Sequence, residues 1–195
     1  MRCAGLFFLF AAFSLSVQAE ELAGPRLSAE LRKGGYVLYI RHTSTDFRKN
    51  DASMASFEDC ANQRPLTDKG RDEARAIAGH LKRLGIPIGR VYASPFCRTV
   101  ETAMLAFGKA EKTNEARGGP VATDDPKRYD ALKKLLATAP AKGANNVISS
   151  HGNPYMAVFG GPYLAEGEIS VVRPGGKDGY ALAGRIKLED WATLR

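Results

Sequence analysis

Histidine is scarce in this chain, with three among 195 residues, beside three cysteines and one tryptophan. There is no His-x-His pair, no HExxH and no acidic calcium-loop pattern, so no familiar metal spacing is encoded. With two cysteines more plausibly joined to each other than to an ion, a zinc site and any other cofactor are not expected. A G-x-S-x-G elbow and a GxxxxGK[ST] loop are also missing. A cysteine phosphatase needs an arginine six residues after its nucleophile; Cys60 is followed there by Leu66 and Cys97 by Ala103. No run of five Lys or Arg occurs, so the formal charge of +7 reads as a dispersed surplus that aids solubility rather than as a nucleic-acid arm. Repeats, low-complexity tracts and internal linkers are lacking too, which leaves one domain of ordinary globular composition.

The one long apolar run lies at the start, from Leu6 to Val17. It is too short to span a bilayer, which takes roughly 20 residues. Arg2 ahead of it, and Val17 and Ala19 behind it, match a secretory signal peptide cleaved after Ala19. The expected mature domain is residues 20–195, periplasmic or secreted, with no stable membrane insertion. Its formal charge is +6 once Arg2 is gone from the +7 of the full chain. Cys3 leaves with that leader, and the remaining pair, Cys60 and Cys97, reads as a disulfide in an oxidising compartment.

The rest alternates strand and helix patterns. Strands are expected at 36–40, 90–94 and 145–150. Helices are expected from Asp68 to about Leu84, from Phe96 to Phe107, from Asp125 onward, and from Asn153 to Phe159. Thr67 caps the first of these and Gly85 ends it. Residues 43–66 and 109–124 read as polar loops, and 168–188 as a terminal hairpin. Such alternation argues for an α/β layered fold with a largely parallel sheet, whose ligand sits at the carboxyl ends of the strands.

Chemistry-bearing residues gather at those ends. Arg41-His42 follows the first strand, Ser94-Pro95-Phe96-Cys97-Arg98 the second, and His151-Gly152-Asn153 the third. Two guanidinium groups clamp phosphate oxygens, and a neutral imidazole can attack phosphorus. Ser94 and the amides of the helix behind it add anion donors. His80, on the polar side of the first long helix, reads as a solvated surface residue.

Four segments, in order, resemble the histidine phosphatase superfamily in its phosphoglycerate mutase-like branch 1: Tyr39-Ile40-Arg41-His42-Thr43, Leu66-Thr67-Asp68-Lys69-Gly70-Arg71, Ala93-Ser94-Pro95-Phe96-Cys97-Arg98-Thr99 and Ser150-His151-Gly152-Asn153. The resemblance implies a three-layer α/β/α sandwich around a mostly parallel sheet. It implies His42 as nucleophile, Arg41 and Arg98 as the phosphate clamp, and His151 as the group completing the pocket. Thr43 stands where glycine is commonest in the family. Thr43, Ser94 and Asn153 fall at substrate-facing positions, and Arg48 either meets a further anionic group or faces solvent. The family's acidic proton donor has no clear match; Glu115 is favoured over Asp124 and Asp125, and Glu101 is read as a surface residue.

The implied activity is a metal-independent phosphomonoesterase forming phosphohistidine on His42, with a small phosphorylated substrate met outside the cytoplasm and no nucleic-acid partner. A catalytically weak phosphate-binding module of the same fold is the alternative from another class. A phosphatase acting on protein phosphohistidine is a further rival.

Overall fold

The structure is a computed structural model, which describes residues 21–117, 125 and 127–195. The leader 1–19 and Asp124 therefore lie outside the described residues. Six strands form one sheet in the order β3-β2-β4-β1-β5-β6. They are β1 Val37–Arg41, β2 Ile88–Ala93, β3 Glu111–Lys112, β4 Asn145–Ser150, β5 Ile169–Pro174 and β6 Tyr180–Ile186. β1 pairs with β4, β4 with β2 and β2 with β3 in parallel, while β5 and β6 complete the sheet antiparallel to their neighbours. The helices are α1 Gly24–Lys33, α2 Asp68–Leu84, α3 Cys97–Phe107, α4 Asp130–Ala137 and α5 Gly152–Phe159.

The central strands are apolar on both faces because both faces are covered. Leu38 and Ile40 of β1 join the core built with Leu27, Leu31, Ile77 and Leu81 of α1 and α2. Val37 and Tyr39, one residue out of phase, join the opposite core with Leu132, Leu136 and Tyr155 of α4 and α5. Three layers result, as the family resemblance implied. β1 and β2 are consecutive in the chain yet separated by β4, so the crossovers diverge there and open a crevice at the carboxyl ends of β1, β4 and β2.

α2 begins where expected: Thr67 Oγ1 accepts the Gly70 amide at 3.0 Å, and Gly85 ends it at φ 64°. Several boundaries differ from the sequence reading. α4 starts at Asp130, not Asp125, and Tyr129 precedes it instead of lying on its inner face. The short edge strand β3 lies inside a stretch that pattern left as loop. His80 is not simply solvated. Its ring stacks on Trp191 with centroids 5.7 Å apart and planes at 13°, because the last turns of α2 pack on the C-terminal segment. Glu101 accepts a 2.6 Å bond from Arg71 Nε and so ties α3 to α2.

Cys60 and Cys97 are bonded, with Cα atoms 5.7 Å apart. The bridge fastens the 43–66 loop to the first residue of α3, one position before Arg98. Closing a loop of this length stabilises by about 3–4 kcal/mol in the chain-entropy model.

Gly70 allows α2 to approach the segment just after His42. A Cβ there would stand 2.1 Å from the Ser44 carbonyl oxygen, which is backbone and cannot swing aside. Gly70→Ala is expected to destabilise the fold by about 1–3 kcal/mol, read by urea denaturation. An unchanged unfolding midpoint would contradict this close approach.

Candidate functional site

The site is assembled from the carboxyl ends of three neighbouring strands. His42 directly follows β1, and its amide donates to the Ser150 carbonyl of β4 at 3.0 Å. The residue is 1% exposed, yet it lines the cleft. Its Nδ1 lies 3.0 Å from the Thr43 carbonyl oxygen. A carbonyl only accepts, so Nδ1 carries the proton and the lone pair is left on Nε2. Burial pushes the His42 imidazole down to about 3, with Arg98, Arg41 and Arg64 adding to the effect and the Thr43 carbonyl opposing it. The ring is therefore neutral at any ordinary pH.

Arg41 reaches sideways. It donates to the Leu164 carbonyl at 2.9 Å and lies 3.5 Å from Glu166 Oε1, with its guanidinium over the Tyr163 ring at 5.1 Å. Glu166 also accepts from the Thr45 amide and hydroxyl, and its Oε1 is 3.7 Å from His42 Nδ1. Arg98, in the first turn of α3, donates to Asp51 Oδ1 at 2.9 Å and lies over Phe96 at 4.4 Å. The Nε atoms of Arg41 and Arg98 are both buried without a hydrogen-bond partner. Buried donors in a native fold are nearly always satisfied, so two such groups flanking one imidazole suit an anionic ligand.

His151 stands at the start of α5, with its ring edge-on to His42 at 5.6 Å and to Phe96 at 5.0 Å. Its Nε2 lies 2.8 Å from Ser94 Oγ. Desolvation, followed by His42 and the neighbouring arginines, holds this imidazole well below the usual histidine range. The cleft around these groups has a volume of about 520 Å³.

The structure thus brings together Arg41, His42, Arg98 and His151. Asn153 also lines the cleft and accepts from the Tyr163 hydroxyl at 3.0 Å. Thr43 is buried behind the site, its amide donating to Thr102 Oγ1 at 3.2 Å, and Ser94 is buried beneath His151. Arg48 does not line the cleft; its side chain is 91% exposed and paired with Asp46 at 2.9 Å. Glu115 sits exposed on the 3-10 turn Asn114–Arg117, outside the cleft lining. Asp125 accepts the Lys127 amide at 2.7 Å and is likewise absent from the lining. Sequence reasoning passed over Asp51, Arg64, Arg117 and Tyr163, which line the cleft, and Glu166 behind it. Among the described residues no group of three or more His, Cys, Asp or Glu could hold a metal ion.

Residues 37–120 match the model of the histidine phosphatase superfamily, branch 1. No curated protein sequence matches the chain significantly. Solved structures do. The protein histidine phosphatase SixA complexed with tungstate is 23% identical at TM-score 0.51, over 78% of this chain and 97% of its own. Rv3214 from Mycobacterium tuberculosis is 19% identical at TM-score 0.53, over 76% and 95%. YhfR of Bacillus stearothermophilus is 17% identical at TM-score 0.51, also over 76% and 95%. These likenesses carry the fold. The family match, across β1, α2, β2 and α3, makes this part of the chain similar to branch 1 of the histidine phosphatase superfamily.

Proposed function

We propose that this protein is a phosphomonoesterase that forms phosphohistidine on His42, needs no metal, and acts on phosphate esters outside the cytoplasm. The observation that carries this reading is the neutral His42 ring, with its lone pair on Nε2, set between two guanidinium groups whose Nε donors lack partners.

In this reading Arg41 and Arg98 bind the phosphate oxygens and neutralise charge at phosphorus. His42 Nε2 attacks, the bond from phosphorus to the ester oxygen breaks, and the alcohol leaves once that oxygen gains a proton. The phosphorylated ring is then cationic, with its Nδ1–H still donating to the Thr43 carbonyl. Glu166, 3.7 Å from that nitrogen, stabilises the new charge. Water attacks the phosphohistidine, phosphate departs, and the neutral ring returns. His151, positioned by Ser94, donates to the transferring phosphoryl oxygens. The apolar leader in the sequence and the Cys60–Cys97 bridge support export.

An aryl phosphate is the fitting first probe, because a phenolate leaves without help from an acid. The chain lacking residues 1–19 is expected to hydrolyse it in the presence of EDTA. His42→Ala should lose activity by about a thousand-fold or more, and Arg98→Ala by about a hundred-fold, with circular dichroism confirming the fold. Turnover that EDTA abolishes, or that survives in His42→Ala, would overturn the reading. Phosphate binding without turnover favours the binding module instead.

The buried imidazole also makes stability depend on pH. The unfolded His42 titrates near 6.5 and the folded one near 3. Between those values the unfolded chain holds a proton that the folded chain does not, so acidification costs stability. Wild type should lose up to about 4 kcal/mol through His42 as pH falls from 6.5 towards 3. His42→Ala should show a shallower decline in phosphate-free denaturation. Equal slopes in the two proteins would show that His42 is not buried neutral.

A further inference from the structure

The long loop between β1 and α2 carries one wall of the cleft on few anchors. Thr45 and Leu66 bridge antiparallel at its base, where the Asp46 amide donates to the Pro65 carbonyl at 3.0 Å. Residues 46–65 therefore leave the domain as one excursion, with the 3-10 turn Cys60–Asn62 as its regular structure. Lys49, Asn50, Asp51 and Arg64 of this excursion line the cleft. Among the described residues, the hydrogen bonds, the ion pair and the covalent bond that tie it to the rest of the protein land on Cys97 and Arg98. Gln63 Oε1 accepts the Cys97 amide and Asp51 Oδ1 accepts from Arg98 Nη1, both at 2.9 Å, and Cys60 is bonded to Cys97. Phe57 adds a ring contact with Phe96, centroids 5.1 Å apart.

Arg98 depends on that docking. Asp51 Oδ1 orients its guanidinium, and the same oxygen accepts the Arg64 amide at 2.9 Å, so the pair stands only while the loop is in place. A released loop of this length regains much conformational freedom, which two polar contacts and one ring pair do not offset. The bridge is what makes the docking persist. It can also be reached: Cys60 is exposed and Cys97 half-buried. Cys97 is the first residue of α3, where the helix N-terminus favours a thiolate. An accessible sulfur with a good leaving thiolate across the bond is the arrangement that exchanges readily.

We propose that the Cys60–Cys97 bridge is a redox switch on the phosphate clamp: oxidised, it holds the loop that orients Arg98; reduced by a dithiol, it frees that loop and turns the enzyme down. A thiolate of the dithiol attacks Cys60 Sγ, the bond to Cys97 breaks, and Cys97 leaves as a thiolate. The second thiolate of the dithiol then displaces Cys60 and closes its own disulfide. The dithiol loses two electrons, the bridge gains them, and the two thiol protons pass to the cysteines and solvent. The inference rests on the phosphatase reading of the same cleft, and it keeps the chain idle in any reducing compartment until the bridge forms.

The test compares the oxidised protein with the same protein reduced by dithiothreitol, both at pH 7, with thiol alkylation and mass spectrometry reporting the state of the pair. On reduction, kcat/KM for an aryl phosphate is expected to fall about ten-fold or more, with far-UV circular dichroism unchanged, and to return on reoxidation. Limited proteolysis should cut within residues 46–65 in the reduced form alone. Cys60→Ala should match the reduced protein and ignore dithiothreitol. Reduced protein that turns over within about two-fold of the oxidised form would overturn the switch. So would a bridge that resists dithiothreitol in the folded protein, or a fold that is lost on reduction, since either makes the bridge a plain staple. The phosphatase reading fails separately, if the oxidised protein does not turn over aryl phosphate. Calorimetry with inorganic phosphate then decides the switch: weaker binding after reduction sustains it, and equal binding sinks it.

Discussion

The hydrogen bond from His42 Nδ1 to the Thr43 carbonyl is the constraint on which the site turns. It joins a side chain to the backbone of the next residue, so it can form only where the chain leaves β1 in one particular conformation. The sheet enforces that exit. The His42 amide is held by Ser150, and the Arg41 and His42 carbonyls both accept from the Gly167 amide. Thr43 is fixed in turn by Thr102 of α3, and Ser44 by Glu73 of α2. Burial keeps the ring uncharged, and the carbonyl decides which nitrogen holds the lone pair. A solvated histidine would have neither property.

Around this fixed ring the cations come from distant parts of the chain. Arg41 belongs to the strand itself. Arg98 begins the helix after β2, Arg117 hangs from β4 through Ser150, and Arg64 arrives on a long loop. The loop would carry a large ordering cost if free. The Cys60–Cys97 bridge, the Gln63 contacts and the Asp51–Arg98 pair offset that cost by fastening the loop to the first turn of α3, at the edge of the site. Phe96 acts as a spacer between Arg98 and Arg117, keeping like charges apart while holding each one near its ring, and it meets the neutral His151 ring edge-on.

How much of this was legible in the residues follows from which contacts are local. β1, β4 and α2 declare themselves through apolar periodicity and through Thr67 and Gly85, and their ends place Arg41, His42 and His151 at one sheet edge. The cysteine pairing was legible once Cys3 is read as part of a leader, which leaves Cys60 and Cys97 as the one pair. Asp51, Arg64 and Arg117 were not, because they sit in segments without periodicity and reach the site through partners 34 to 47 residues away. Glu115 drew attention as a carboxylate in the right stretch of chain, but the 3-10 turn carrying it directs Arg117 to the cleft and leaves Glu115 exposed. His80 looked solvated because its partner, Trp191, lies more than a hundred residues further on.

The most direct test of the account is the identity of the phosphorylated nitrogen. Enzyme quenched within milliseconds of mixing with aryl phosphate, digested under alkaline conditions and examined by mass spectrometry and 31P NMR, would reveal it. The account predicts phosphate on His42, on Nε2 alone, because Nδ1 is committed to the Thr43 carbonyl. Phosphate on Nδ1, or on His151, would contradict it.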